Sequence, residues 1–120
     1  MSQARGRAAE DAALRFLESQ GCVLVARNYR CRLGELDLVM RDGGSLVFVE
    51  VRARSSDAFG GAAASVGASK QRRLAAAARH FLMTHPREAQ RPARFDVVAI
   101  SGPGGENPPR WIRAAFDCAS

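Results

Sequence analysis

Lysine is all but missing from this 120-residue sequence: Lys70 is the only one among 18 basic residues, and the rest are arginine. That bias admits two readings. A guanidinium pairs bidentately with phosphate, and genome composition alone produces the same excess. The three cysteines, Cys22, Cys31 and Cys118, are odd in number, widely spaced and without a C-x-x-C pair, which argues against a disulfide framework and a zinc knuckle. No apolar run approaches the ~18 residues that span a bilayer, so no membrane is expected. The first twenty residues lack the apolar core and small-residue cleavage site of a secretory signal. Glu10, Asp11 and Glu18 argue against a transit peptide, and a reducing cytoplasm is the expected setting. The glycine-rich stretch 53–69 carries no phosphate-loop or dinucleotide pattern and reads as a mobile loop. No Ser/His/Asp spacing is evident. His80 and His85 lie around a helix end with no third ligand.

What remains is an ordinary globular chain with an unusual charge. Hydrophobic residues make up 47% and charged residues 25%, enough for one domain over residues 1–120 that buries about two thirds of its unfolded surface. The net charge of +6 favours a polyanionic partner. Apolar spacing at Ala9, Ala13, Phe16 and Leu17 predicts a helix over about 3–20 closed by Gly21, followed by a short buried strand at Cys22–Ala26. Residues 35–40 and 46–52 read as strands joined by the Asp42-Gly43-Gly44-Ser45 turn, because two glycines supply the positive φ of a tight hairpin. A second helix is expected over about 69–83, then strands at 94–100 and 111–113. The fold class is therefore α/β with the order α-β-β-β-α-β-β. The strand–helix–strand step after the third strand calls for a parallel crossover, hence a mixed central sheet flanked by helices.

The hairpin concentrates the chemistry. With Gly43 and Gly44 as the loop, paired residue numbers sum to 87, which sets Asp37 opposite Glu50 and Glu35 opposite Arg52, all on one face. Opposed carboxylates repel, and Leu46 and Phe48 on that face imply partial burial. A bound Mg²⁺ or Mn²⁺ resolves the conflict, since a hard cation takes carboxylate oxygens, waters and a substrate phosphate. The alternative is a solvated face with a Glu35–Arg52 salt bridge. Asp96, within an apolar strand, is expected to make a structural hydrogen bond, and Trp111 and Phe116 to cap the core.

These residues resemble a known pattern. Gly34-Glu35-Leu36-Asp37-Leu38-Val39 followed by Phe48-Val49-Glu50-Val51-Arg52-Ala53-Arg54 is similar to the signature of the YraN-like family of small bacterial proteins, and Lys70, Arg94–Val98 and Ala115-Phe116 continue the likeness. The resemblance implies a single-domain restriction-endonuclease-like fold, similar to Holliday junction resolvases, with an Asp…Glu-x-Lys nuclease constellation. Carried across, Asp37 and Glu50 match the metal-binding acids, and Glu10 matches an acid supplied by the first helix. Glu35 belongs to the family's own signature, and Arg52 stands where a lysine is expected.

Arginine keeps the positive charge but cannot act as a base, so either Arg52 acts electrostatically or Lys70 takes the lysine's place. Lys70 itself has three open roles: the active face, a backbone phosphate, or plain solvent exposure. Arg5, Arg7, Arg54, Lys70, Arg72 and Arg73 flank the acidic face as expected nucleic-acid contacts. With no base-reading motif, recognition by backbone and shape is expected. The leading expectation is a metal-dependent, structure-selective endonuclease acting on DNA, including branched DNA, with a homodimer required if it resolves junctions. The alternative is a non-catalytic nucleic-acid-binding or adaptor module that retains the fold.

Overall fold

A computed structural model describes residues 2–54, 66–102 and 106–116. The side chains of Arg5 and Arg54, most of the glycine-rich loop, and Cys118 lie outside the described residues. Helix α1 (Ser2–Ser19) ends where Gly21 takes φ +95°. There the N–H of Cys22 bonds the carbonyl of Leu17, and that of Gly21 bonds Glu18, both at 3.0 Å. This pair of bonds is the Schellman stop, which needs a residue tolerant of positive φ.

Strands β1 (Val23–Cys31), β2 (Gly34–Asp42) and β3 (Ser45–Arg54) follow. Helix α2 (Ala68–Thr84) and a 3₁₀ turn (Glu88–Gln90) lead to β4 (Ala93–Ser101), and β5 (Arg110–Phe116) closes the chain. The strands make one sheet in the order β1-β2-β3-β4-β5. Only β3 and β4 run parallel, as a helical crossover between them demands. The architecture is a mixed α/β sheet with one helix on each face, consistent with a restriction-endonuclease-like fold.

The two faces have separate cores. Leu74, Ala77, Ala78 and Phe81 of α2 pack with Leu46, Phe48, Phe95 and Val97. Ala9, Ala13 and Leu17 of α1 pack with Leu38, Met40, Val47, Val49, Val98 and Ile100. Residues 46–49 and 97–100 thus alternate between two buried faces, which is why these stretches of both central strands read as continuous apolar runs.

The Gly43-Gly44 hairpin forms as expected, with Asp42↔Ser45 through Leu38↔Val49 all summing to 87. Two expectations need correction. Strand β1 runs on to Cys31 rather than stopping at Ala26, because pairing with β2, not burial, holds its polar second half. Strand β5 extends from Arg110 to Phe116, bent at Ala114, whose φ is +50°. The 3₁₀ turn was not foreseen. Its Glu88 is fastened by Arg41 at 2.8 Å and Arg91 at 3.2 Å, contacts that sequence spacing does not reveal.

Candidate active site

The β2–β3 ladder stops at Leu38↔Val49. Two positions further, Val51 would exchange hydrogen bonds with Leu36 if the register continued. Instead the Val51 N–H donates to Asp37 Oδ2 at 2.9 Å. The break also disturbs alternation along β2: Leu36 and Val39 belong to the α2-side core, and Leu38 to the opposite one. Asp37 sits at the irregular position between them, its carboxylate filling the gap where the strands part.

Glu50, 5% exposed, lies on the α2 side next to Phe48. Burial, first, and then the charge of Glu50 push the Asp37 carboxyl up to about 7, against the opposing effect of the Val51 N–H, and Glu10 adds to the rise. A neighbouring carboxylate and partial desolvation both disfavour the charged form of Asp37. Glu50 also meets two cations, Lys70 Nζ at 3.5 Å and Arg52 Nη1 at 3.7 Å. Of the three roles open to Lys70, the structure places it on the acidic face, reaching in from the first turn of α2.

Glu10 approaches from α1, held by Asn28 Nδ2 at 3.0 Å and by Arg27 Nε at 3.5 Å, while Arg27 also bonds Asp11 at 2.6 Å. The Asp11 hydrogen bond is the chief reason the Arg27 pKa is raised. Asn28 has φ +54°, a conformation asparagine adopts more readily than most residues. It occupies the position across β1 from Asp37, where the β1–β2 pairing also skips. Neither Arg27 nor Asn28 was singled out from sequence. The available signal was an asparagine amid strand residues.

Glu35 does not join the group. The β2–β3 pairing that would set it opposite Arg52 ends at Leu38↔Val49, and Glu35 instead pairs with its β1 neighbour Arg30 at 3.1 Å, half exposed. Arg7, Arg72 and Arg73 are exposed, as phosphate contacts must be. Asp96 lies apart on the α1 side, accepting bonds from Arg94, Trp111 Nε1 and the Ala114 N–H, a structural role as expected. His85 stacks on Phe81, with ring centroids 3.8 Å apart, and His80 contacts the Tyr29 hydroxyl.

Among the described residues no three His, Cys, Asp or Glu side chains converge closely enough to hold an ion. The Asp37–Glu50 pair does suit Mg²⁺, which commonly takes one or two carboxylates and fills its remaining positions with water and phosphate. No helix among the described residues is long and apolar enough to cross a membrane.

A family model described as uncharacterised protein family UPF0102 matches residues 9–100. The chain is 56% identical over 113 residues to a UPF0102 protein of Nitrosomonas europaea, covering 94% of this chain and 93% of that protein. It is 60% identical over 118 residues to one of Ralstonia nicotianae, covering 94% and 86%. A UPF0102 protein of Pseudomonas aeruginosa is 49% identical over 118 residues, covering 97% and 94%.

Proposed function

We propose that this chain, which belongs to the uncharacterised protein family UPF0102, is a divalent-metal-dependent nuclease that cuts phosphodiester bonds in nucleic acid, with structured or branched DNA as the first substrate to test. The observation that carries the reading is the half-buried Asp37 beside the buried Glu50, with Asp37 pushed up to about 7 and two cations on Glu50. A purely structural hairpin gains nothing from two neighbouring carboxyls withdrawn from water. Perturbed acids of this kind cluster at functional sites.

Asp37 and Glu50 would hold Mg²⁺ or Mn²⁺, with Glu10 close enough to add its charge. Bound there, the ion would activate water and neutralise charge on the scissile phosphate. The Val51 N–H and the parting of the strands orient Asp37, and Asn28 and Arg27 orient Glu10. Lys70 places an ammonium where negative charge builds up on the phosphate oxygens, and Arg52 adds a second cation that stays protonated throughout. Proton transfer by a side chain thus falls to Lys70 or to the carboxyls. Exposed Arg7, Arg72 and Arg73 supply backbone phosphate contacts that are indifferent to sequence.

The test is cleavage of labelled flap, four-way junction and single-stranded DNA with and without Mg²⁺ or Mn²⁺. Wild-type protein is expected to nick at least one of them only with metal. Asp37→Asn and Glu50→Gln are expected to lower the rate at least a hundredfold and to leave binding in EDTA intact. Binding without cleavage across all substrates would overturn the enzyme reading and leave a nucleic-acid-binding module. If junctions are the substrate, paired cuts require a homodimer, which sedimentation would reveal.

A further inference from the structure

The acid pair lies beside a groove of which the nuclease reading uses only Lys70 and Arg73. It runs between the β1–β2 turn and the start of α2, measures about 460 Å³ and is lined by Arg30, Gly34, Glu35, Lys70, Arg73 and Leu74. With Cys31, the lining numbers seven residues, of which three are cations and one is an acid. Glu35 is spent on Arg30 in an exposed ion pair, the kind that contributes little and exchanges partners readily. Gly34 keeps the walls close: a Cβ there would lie 2.7 Å from the Arg73 carbonyl oxygen.

Helix α2 is built against its own electrostatics at this end. Its first turn holds no acidic residue, and its N-cap, Gly67, makes no side-chain capping bond, while Lys70, Arg72 and Arg73 occupy the first two turns. Cations at a helix N-terminus oppose the dipole. The conflict is relieved when an anion sits among them. Lys70 links the groove to the acids, since it lines the one and reaches Glu50 at 3.5 Å in the other.

Size and lining narrow the ligand. A space of this volume is of the order of 10 Å across, whereas the major groove of a duplex alone is about 12 Å wide. No aromatic ring is among the lining residues, so nothing there stacks a base. We propose that this groove holds the sugar–phosphate backbone of a single nucleic-acid strand next to the phosphate presented to Asp37 and Glu50. Arg30 and Arg73 are the phosphate contacts, and a phosphate displaces Glu35 from Arg30. The substrate therefore carries an unpaired segment at the cut rather than continuous duplex. The inference rests on the nuclease reading only for which phosphate is cut.

Binding of the full chain in EDTA separates the two. Fluorescence anisotropy would compare a short single strand, a tailed duplex and a blunt duplex over a salt series, with deoxyribose and ribose arms to identify the polymer. The strand and the tailed duplex are expected to bind at least tenfold more tightly than the blunt duplex. Arg30→Ala and Arg73→Ala are each expected to weaken strand binding by about three- to tenfold and to reduce the salt slope by about 0.7. Arg73→Lys should keep the slope, Glu35→Gln should tighten binding about twofold, and Arg87→Ala, exposed elsewhere, should change nothing. Blunt duplex binding as tightly as the strand, or unchanged slopes in both alanine variants, overturns the groove. If those slopes fall while wild-type protein cuts nothing in Mg²⁺ or Mn²⁺, the groove stands and the nuclease reading fails.

Discussion

Asp37 and Asp96 solve the same local problem with opposite electrostatics. Each lies where a strand ladder is interrupted, Asp37 past the end of the β2–β3 pairing and Asp96 at the shift in β4–β5. Each accepts a backbone N–H across the gap at 2.9 Å, from Val51 and Ala114 respectively. Asp96 is 0% exposed but is surrounded by donors: Arg94 at 3.0 Å and Trp111 Nε1 at 2.8 Å, with Arg94 also bridging to Asp42 at 2.7 Å. Asp37 has one donor and faces carboxylates. A satisfied buried carboxylate holds structure together. One left among like charges raises the energy of the empty protein, and that energy is available to whatever cation binds.

The comparison is broken most forcefully at Asp96. Asp96→Ala leaves the Arg94 guanidinium, an indole N–H and a backbone N–H facing an empty, buried position. A loss of about 3–5 kcal/mol in urea unfolding is expected. A loss below about 1 kcal/mol would mean that the network is replaceable and the contrast overdrawn.

Asp37 should respond in the other direction. Its pKa is higher folded, at about 7, than the ordinary 3.8, so the folded state binds the proton more tightly than the unfolded chain does. The sign follows: stability falls as pH rises from about 4 to 7, and the ionised acid destabilises most above that window. Asp37→Asn keeps the shape without the charge. It should raise the metal-free unfolding free energy at pH 8 by roughly 1–3 kcal/mol and remove its share of the pH slope. An Asn variant less stable than wild type at pH 8 would show that Asp37 is structural like Asp96.

The smallest effect is expected from metal itself. At pH 8, Mg²⁺ at about ten times its dissociation constant should stabilise wild type by about 1.4 kcal/mol, read as a rise of a few degrees in the melting temperature. Asp37→Asn and Glu50→Gln should abolish the rise, and EDTA should reverse it. An equal rise in the variants would indicate general screening of charge rather than a site.

Most of the architecture could be read before folding because it depends on local patterns. The Gly21 stop, the Gly43-Gly44 turn and the doubly apolar strands each specify backbone geometry within a few residues, and the hairpin register followed from the turn. The polar half of β1 could not be read in this way, since Arg27–Arg30 owe their strand to pairing with β2. The candidate site divides along the same line. Asp37, Glu50 and Arg52 share a face by strand alternation and lie together in the structure, whereas the sequence left Lys70 open among three roles and the fold brings it to Glu50. Alternation also sets Glu35 opposite Arg52, but the β2–β3 pairing that would hold it there ends at Leu38↔Val49. Asn28 went unnoticed because its role depends on a left-handed backbone conformation and on a helix eighteen residues earlier.

The sequence by itself determined a basic chain with acids gathered on one hairpin, a mixed α/β order, and a cationic α2 N-terminus. Spacing along the chain and side-chain type are sufficient for each of these. Only the tertiary structure decided which acids share a field. It ended the β2–β3 pairing before Asp37, paired Glu35 with Arg30, aimed Lys70 at Glu50 rather than at solvent, and surrounded Asp96 with donors. The physical reason is that charge acts through space and burial, and neither distance nor desolvation between residues far apart in the chain exists until the sheet and its two helices have packed.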